Sequence, residues 1–199
     1  MKKATKRALS IYTQLINKNK KSNIKITIEN KSELYDYFEE IQTSIIFSYV
    51  AVESFANATI PKDFTFEKTN EKGIKEIWDK TGIERWVPTS EKLINIIPKI
   101  LNSSDIRQET FWNYFKELEK LRNDIVHQKT SDDKSSLEAE IFNKMLSNNI
   151  FYIIQSSFFV IDFFYKLNNA HPYFPLGLGI AKFQVIEIES MEAHFKLVD

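Results

Sequence analysis

Phe111-Trp112-Asn113-Tyr114-Phe115-Lys116-Glu117-Leu118-Glu119-Lys120-Leu121-Arg122-Asn123-Asp124-Ile125-Val126-His127 is the stretch that decides how this chain folds. Phe111, Tyr114, Phe115, Leu118, Leu121 and Ile125 return every three or four residues, which lines one face of an α-helix. Asn102-Ser103-Ser104-Asp105 just upstream supplies a turn and an N-cap, so a helix is predicted over residues 106–128. Side chains four apart share a helix face, whereas those five apart are separated by about 140°. Asn123 and His127 therefore align, Glu119 sits one turn before Asn123, and Arg122 is offset from His127. A polar edge of Glu119, Arg122, Asn123 and His127 runs beside the apolar stripe.

The same periodicity recurs on both sides. Ala4, Ala8, Ile11, Tyr12, Leu15 and Ile16 predict a helix over 3–20, and a second, over 32–60, is capped by Ser32 and ended by Pro61. Ser90 caps a helix over 91–101 that Pro98 bends or shortens. A polar loop over 130–136 leads into a helix over 137–168, whose aromatic density (Phe151, Tyr152, Phe158, Phe159, Phe163, Phe164, Tyr165) predicts burial on more than one side, a dimer contact supplying the second. Residues 61–90 hold Phe64 and Phe66 as anchors and a helical turn over 74–79, interrupted by Gly73, Gly82 and Pro88. Two alternating runs, 24–29 and 183–189, are expected to pair as a small ribbon. The fold class is mainly all-α: an up-and-down bundle of four to five long helices, with that ribbon added.

At 199 residues the chain suits one core, so 1–199 is read as a single domain with a basic helix at 3–20 and a tail at 171–199. Hydrophobic residues at 43% and only 4 Gly and 5 Pro fit a packed helical globule and exclude disorder. The absence of Cys excludes disulfides, thiolate zinc sites and cysteine nucleophiles. Cytoplasmic residence is expected, without a membrane span: the apolar stretch 41–60 carries Gln42, Glu53 and Asn57. Lys+Arg and Asp+Glu balance at 27 each, which removes the general field of a nucleic-acid binder. Residues 1–28 nonetheless carry eight cations, Lys2, Lys3, Lys6 and Arg7 among them, and no acid; this is either a solvated helix face or a phosphate-contacting arm.

Glu53 is the only residue within 41–60 that carries a charge at neutral pH. An interior carboxylate needs a partner, and Arg122 is the candidate, either as a structural ion pair or as part of a site. His127 is the only histidine of the helical body, since His171 and His194 lie in the tail. Three scattered histidines without an acid cluster make a poor metal site, so neither metal nor cofactor is expected.

Arg122-Asn123-Asp124-Ile125-Val126-His127 resembles the Arg-Asn-x-x-x-His signature of HEPN domains, helical-bundle proteins of prokaryotic toxin, abortive-infection and defence systems. The aromatic-rich Trp112-Asn113-Tyr114-Phe115 before the motif fits that family, as do the loop and long helix after it. Ala51-Val52-Glu53-Ser54-Phe55-Ala56-Asn57, Ile83-Glu84-Arg85-Trp86 and Glu91-Lys92-Leu93 are also similar to its flanking helices; the resemblance spans 32–168. It implies a metal-independent endoribonuclease leaving 2′,3′-cyclic phosphate ends. His127 would exchange a proton with the ribose 2′-hydroxyl or the leaving oxygen, Arg122 would balance transition-state charge, and Asn123 would orient phosphate or imidazole. Glu53, Glu119 and Asn57 would support them, while Lys2, Lys3, Lys6, Arg7 and Lys129 would touch RNA. One bundle offers a single Arg and His, so the resemblance implies a homodimer with a composite site, in a toxin or antiviral context with a possible antitoxin or defence-complex partner. Lys129 stands where toxins silenced by nucleotidylation carry tyrosine, which puts that control in doubt. Two further readings are a non-catalytic nucleotide- or partner-binding module and a structural dimerisation subunit.

Overall fold

The structure, a computed structural model, describes residues 2–19, 29–69, 71–127 and 134–167. Its elements in chain order are α1 (Lys2–Asn19), α2 (Lys31–Thr59), β1 (Phe66–Thr69), β2 (Lys75–Trp78), α3 (Lys80–Trp86), α4 (Thr89–Glu91), a π turn (Lys92–Ile96), α5 (Ile97–Leu101), a 3-10 turn (Ile106–Gln108), α6 (Trp112–Val126), α7 (Lys134–Met145) and α8 (Ile150–Leu167). The chain is mainly helical with one small antiparallel ribbon among the described residues. The ribbon expected from 24–29 and 183–189 cannot be placed, because 24–28 and 183–189 lie outside the described residues, as do Lys129 and the tail from 171.

Helix α2 is the axis of the bundle. Its buried residues, among them Leu34, Tyr37, Ile41, Ile45, Tyr49, Val52, Phe55 and Thr59, repeat at helical spacing along one broad face. It starts after Asn30 rather than at Ser32, and Ile60 turns extended before Pro61, as the residue before a proline must. Helix α1 packs antiparallel on its first half through Ala4, Ala8, Tyr12 and Leu15, with Thr5 Oγ1 donating to Ser44 Oγ at 3.1 Å. Helix α8 covers the second half, where Phe55 stacks on Phe164. Helix α6 lies antiparallel to α8 through Phe111 against Phe159 and Phe163 and Tyr114 against Tyr152. Phe151 and Phe164 are thus covered within the chain, whereas Tyr152, Phe158, Phe159 and Phe163 are half-buried and Tyr165 is exposed.

Two helices predicted as continuous are split. Over 137–168 the break comes after Met145. Ser147 returns both its N–H and its Oγ to the Lys144 carbonyl, a local bond that competes with helix propagation. The carbonyls released at the end of α7 are taken by buried phenols, Tyr37 donating to Met145 and Tyr12 to Leu146. Over 106–128 the Asp105 carboxylate accepts from the Arg107 N–H at 3.0 Å and also grips its guanidinium, which holds a 3-10 turn and postpones α6 to Trp112.

Residues 74–79 form a strand end rather than the expected helical turn. Gly73, at φ 76°, reverses the chain in a conformation open to glycine, and Phe66 then pairs with Trp78 across the ribbon. This hairpin and α3 close a small second core of Ile60, Phe66, Ile83, Val87 and Ile96 against the π turn. The π turn sits just ahead of Pro98, which lacks an N–H and would crowd the carbonyl four residues back. Among the described residues no helix is long and apolar enough to cross a membrane.

Candidate functional site

Helices α2 and α6 cross at Tyr49. Its ring stacks on Phe115 with an interplanar angle of 8°, and its hydroxyl donates to Glu119 Oε1 at 3.2 Å. The Arg122 guanidinium lies over the same ring, 5.0 Å from its centroid. One face of α6, stepping from Phe115 to Glu119 to Arg122, is therefore spread across a single tyrosine. Glu119 is buried rather than part of an exposed polar edge, and it is matched by Lys116 as well as by Tyr49.

Arg122 is half-buried. Its Nη1 donates to Asn123 Oδ1 at 3.0 Å, and its Nε is buried without an acceptor among the described residues. The expected ion pair with Glu53 is not formed: no carboxylate of the described residues comes within 4 Å of this guanidinium. Glu53 instead exerts its charge on Lys92 and Tyr49. Glu53 is only half-buried, so water can still meet its charge, and a second cation feels it. Lys92, at the start of the π turn, is 1% exposed and donates from Nζ to Asn57 Oδ1 at 2.7 Å and to the Glu84 carbonyl at 3.1 Å. Burial lowers its amine pKa, and Glu53 and then Glu84 push it back up. Glu53 and Asn57, expected to support Arg122, thus serve Lys92.

His127 is exposed and has left the helix. It is the C-cap of α6, with φ −116° and ψ 61°, though its N–H still reaches the Asn123 carbonyl at 2.8 Å. The expected alignment of Asn123 and His127 therefore survives in the backbone bond, while the histidine is freed from helical geometry. Asn123 is also exposed. Of the basic arm, Lys3 and Lys6 are exposed and Arg7 is paired with Glu40 at 3.1 Å. The pairs of Arg7 with Glu40 and Thr5 with Ser44 place that arm five to nine positions along α2 from Tyr49, about 8–14 Å of helical rise. Among the described residues no group of three or more His, Asp or Glu could hold a metal ion.

Sequence reasoning passed over Tyr49, Thr89 and Lys92. Burial pushes the Tyr49 phenol up to about 12 from 10.0; the Thr89 hydroxyl, hydrogen-bonded to it, opposes the rise, and Glu119 and Glu53 add to it. Tyr37 is raised further, also chiefly by burial. A phenol whose pKa is higher in the folded chain contributes stability in full below its unfolded value of 10.0 and loses it as pH climbs toward 12. Urea unfolding should accordingly weaken across that window. Tyr49→Phe should flatten the decline by about 1–2 kcal/mol after allowing for solvent screening; an unaltered slope would mean that Tyr49 ionises as readily folded as unfolded.

Arg122, Asn123 and His127 together present a guanidinium over an aromatic ring, an exposed amide whose oxygen accepts from that guanidinium, and an exposed imidazole at one end of a helix. Comparison of the chain with protein-family models, with curated proteins and with solved structures finds no match in any of the three.

Proposed function

We propose that this protein is a metal-independent endoribonuclease of HEPN type that works as a homodimer in the cytoplasm, in a toxin or phage-defence setting. The observation that carries the reading is the state of Arg122. Its guanidinium lies over Tyr49 and donates to Asn123 Oδ1, has no carboxylate in ion-pair range among the described residues, and stands on the same helix end as the exposed His127. Even a half-buried arginine gains from a carboxylate partner, because charge removed from water needs compensation. One held on an aromatic ring and left without an acid is suited to an anion brought by a ligand, and the planar fork matches phosphate.

The chemistry assigns itself to the groups at hand. His127 of one chain accepts the ribose 2′-hydroxyl proton as that oxygen attacks phosphorus. The bond from phosphorus to the 5′-oxygen breaks, and the leaving oxygen takes a proton from a second imidazole. Arg122 stabilises the charge gathering on the non-bridging oxygens, and the products are a 2′,3′-cyclic phosphate and a 5′-hydroxyl. Each chain has one such histidine, so acid and base come from two copies related by a two-fold axis. Phe47 and Val50 on α2 and Val126 on α6, exposed within a helical turn of Tyr49 and Arg122, would form an apolar rim for that contact.

His127→Ala should keep the fold and the dimer while lowering RNA cleavage by about a hundred- to ten-thousand-fold, measured in EDTA on purified protein. Cleavage that survives the substitution would sink the assignment. Saturable RNA or nucleotide binding with no cleavage by the unmodified chain would favour a non-catalytic binding module instead.

A further inference from the structure

Four arginines occur in the chain, and they divide into two kinds. Arg7 and Arg107 are ion-paired, to Glu40 and Asp105. Arg85 and Arg122 lie over aromatic rings, Trp86 and Tyr49, with no carboxylate within 4 Å among the described residues. Trp86 is 63% exposed although it ends a helix whose Ile83 is fully buried, and it joins neither core. An indole left open in this way, with a guanidinium 4.9 Å from its centroid, is a flat cationic platform.

The two aromatic-mounted arginines are joined by a short, well-anchored segment. Val87 is buried in the second core, Thr89 is buried with its hydroxyl on the Tyr49 phenol, and Tyr49 carries Arg122 on its ring. The backbone just before Trp86 is fixed too, because the Glu84 carbonyl accepts from Lys92. From Thr89 back to Trp86 is three residues, a reach of at most ~11 Å. The backbone that carries Trp86 is therefore anchored on both sides, within three residues of the Thr89 that reaches Tyr49.

We infer that Trp86, with Arg85, is a nucleobase-stacking subsite that holds an unpaired base of single-stranded RNA next to the phosphate engaged by Arg122. The inference rests on the ribonuclease reading and adds a substrate class to it: stacking on an indole requires a base splayed from its neighbours, which single-stranded RNA offers and duplex RNA does not. Arg85 adds a phosphate contact that tolerates any base, so the subsite selects strandedness more than sequence.

The test uses the full chain carrying His127→Ala, which binds without cutting, and a fluorescein-labelled single-stranded oligoribonucleotide of mixed sequence read by anisotropy. Adding Trp86→Ala should raise Kd by about tenfold. Trp86→Phe should stay within about threefold, since a phenyl ring still stacks, and a perfect RNA duplex should be indifferent to either change. Because Trp86 is exposed, these variants should unfold at the parent temperature. Equal Kd for the Trp86→Ala and parent proteins, with wild-type cleavage intact, overturns the subsite and leaves the ribonuclease standing. Loss of both RNA binding by the parent and cleavage by the wild type overturns both. A Trp86→Ala chain that binds RNA normally but no longer captures a protein ligand would assign the platform to a protein, also against the inference.

Discussion

Mixing His127→Ala chains with Arg122→Ala chains should restore part of the RNA cleavage that both homodimers have lost. In the proposed dimer the cleft holds two guanidiniums and two imidazoles. The His127→Ala homodimer keeps both arginines and no proton-transfer group, so it should fall by about 10²–10⁴. The Arg122→Ala homodimer keeps both imidazoles, but nothing meets the growing charge on phosphorus, a loss of about 10²–10³. Subunit exchange makes a heterodimer with one arginine and one histidine, drawn from different chains, so one imidazole still takes the 2′-hydroxyl proton beside one guanidinium while water replaces the second imidazole in protonating the leaving oxygen. Cleavage regained in proportion to heterodimer, measured after denaturing and refolding the mixture, is the expected result. A mixture as inactive as its components, with exchange confirmed by differently tagged chains, would mean that each site needs its own Arg122 and His127 or that the chain does not cleave RNA. Arg122→Lys separates charge from shape: an ammonium keeps the charge but loses the planar fork that lies on Tyr49 and reaches Asn123, so most of the deficit should remain.

How much of this was legible before the coordinates depends on what kind of information each feature needs. The apolar stripes of α1, α2 and α6 were legible because burial on one face leaves a period in the sequence, and Ala8, Ile41 and Leu118 are all fully buried as that period requires. The ends of helices were less so. They turn on single side-chain bonds, such as Ser147 to Lys144 and Arg107 to Asp105, which compete with propagation and leave no periodic trace. The hairpin over 66–78 was missed although Gly73 sits at its turn, because four-residue strands are too short for alternation to stand out. At the site, Glu53 advertised its need for a cation; which helix would bring one is a matter of tertiary geometry. Arg122 and Lys92 were equally eligible from spacing alone, and it is the buried Lys92, at the start of the π turn, that feels the Glu53 charge while its amine bonds Asn57 and the Glu84 carbonyl.

That placement makes Lys92 the residue whose loss should cost the fold most among the polar groups. Lys92→Ala removes the donor to Asn57 Oδ1 and to the Glu84 carbonyl, strips Glu53 of the cation beside it, and leaves a void where the lysine stem was packed. Orphaning partners of a buried charge and opening a cavity each destabilise strongly, and together they should cost about 3–5 kcal/mol in urea unfolding. Lys92→Met keeps the stem volume and leaves only the polar partners unmet, so it should cost about 1–2 kcal/mol. The pH dependence then tells charge from packing. Burial holds the folded-state pKa of this amine below its unfolded value of 10.5. Between the two values the unfolded chain binds the extra proton, so Lys92 makes stability rise with pH there, and its penalty is fully present at lower pH. Lys92→Met removes that rise, so the advantage of wild type over this variant should widen toward pH 10.5. A gap that stays constant with pH would mean the lysine charge is as well solvated folded as unfolded. Both substitutions also release the Glu84 carbonyl, and with it the backbone that fixes Trp86 relative to Thr89 and Tyr49. A chain held at Glu84 narrows the positions open to the indole, whereas a released one widens them. Lys92→Met should therefore weaken single-stranded RNA binding through Trp86, and in a Trp86→Ala background the same substitution should add little further loss.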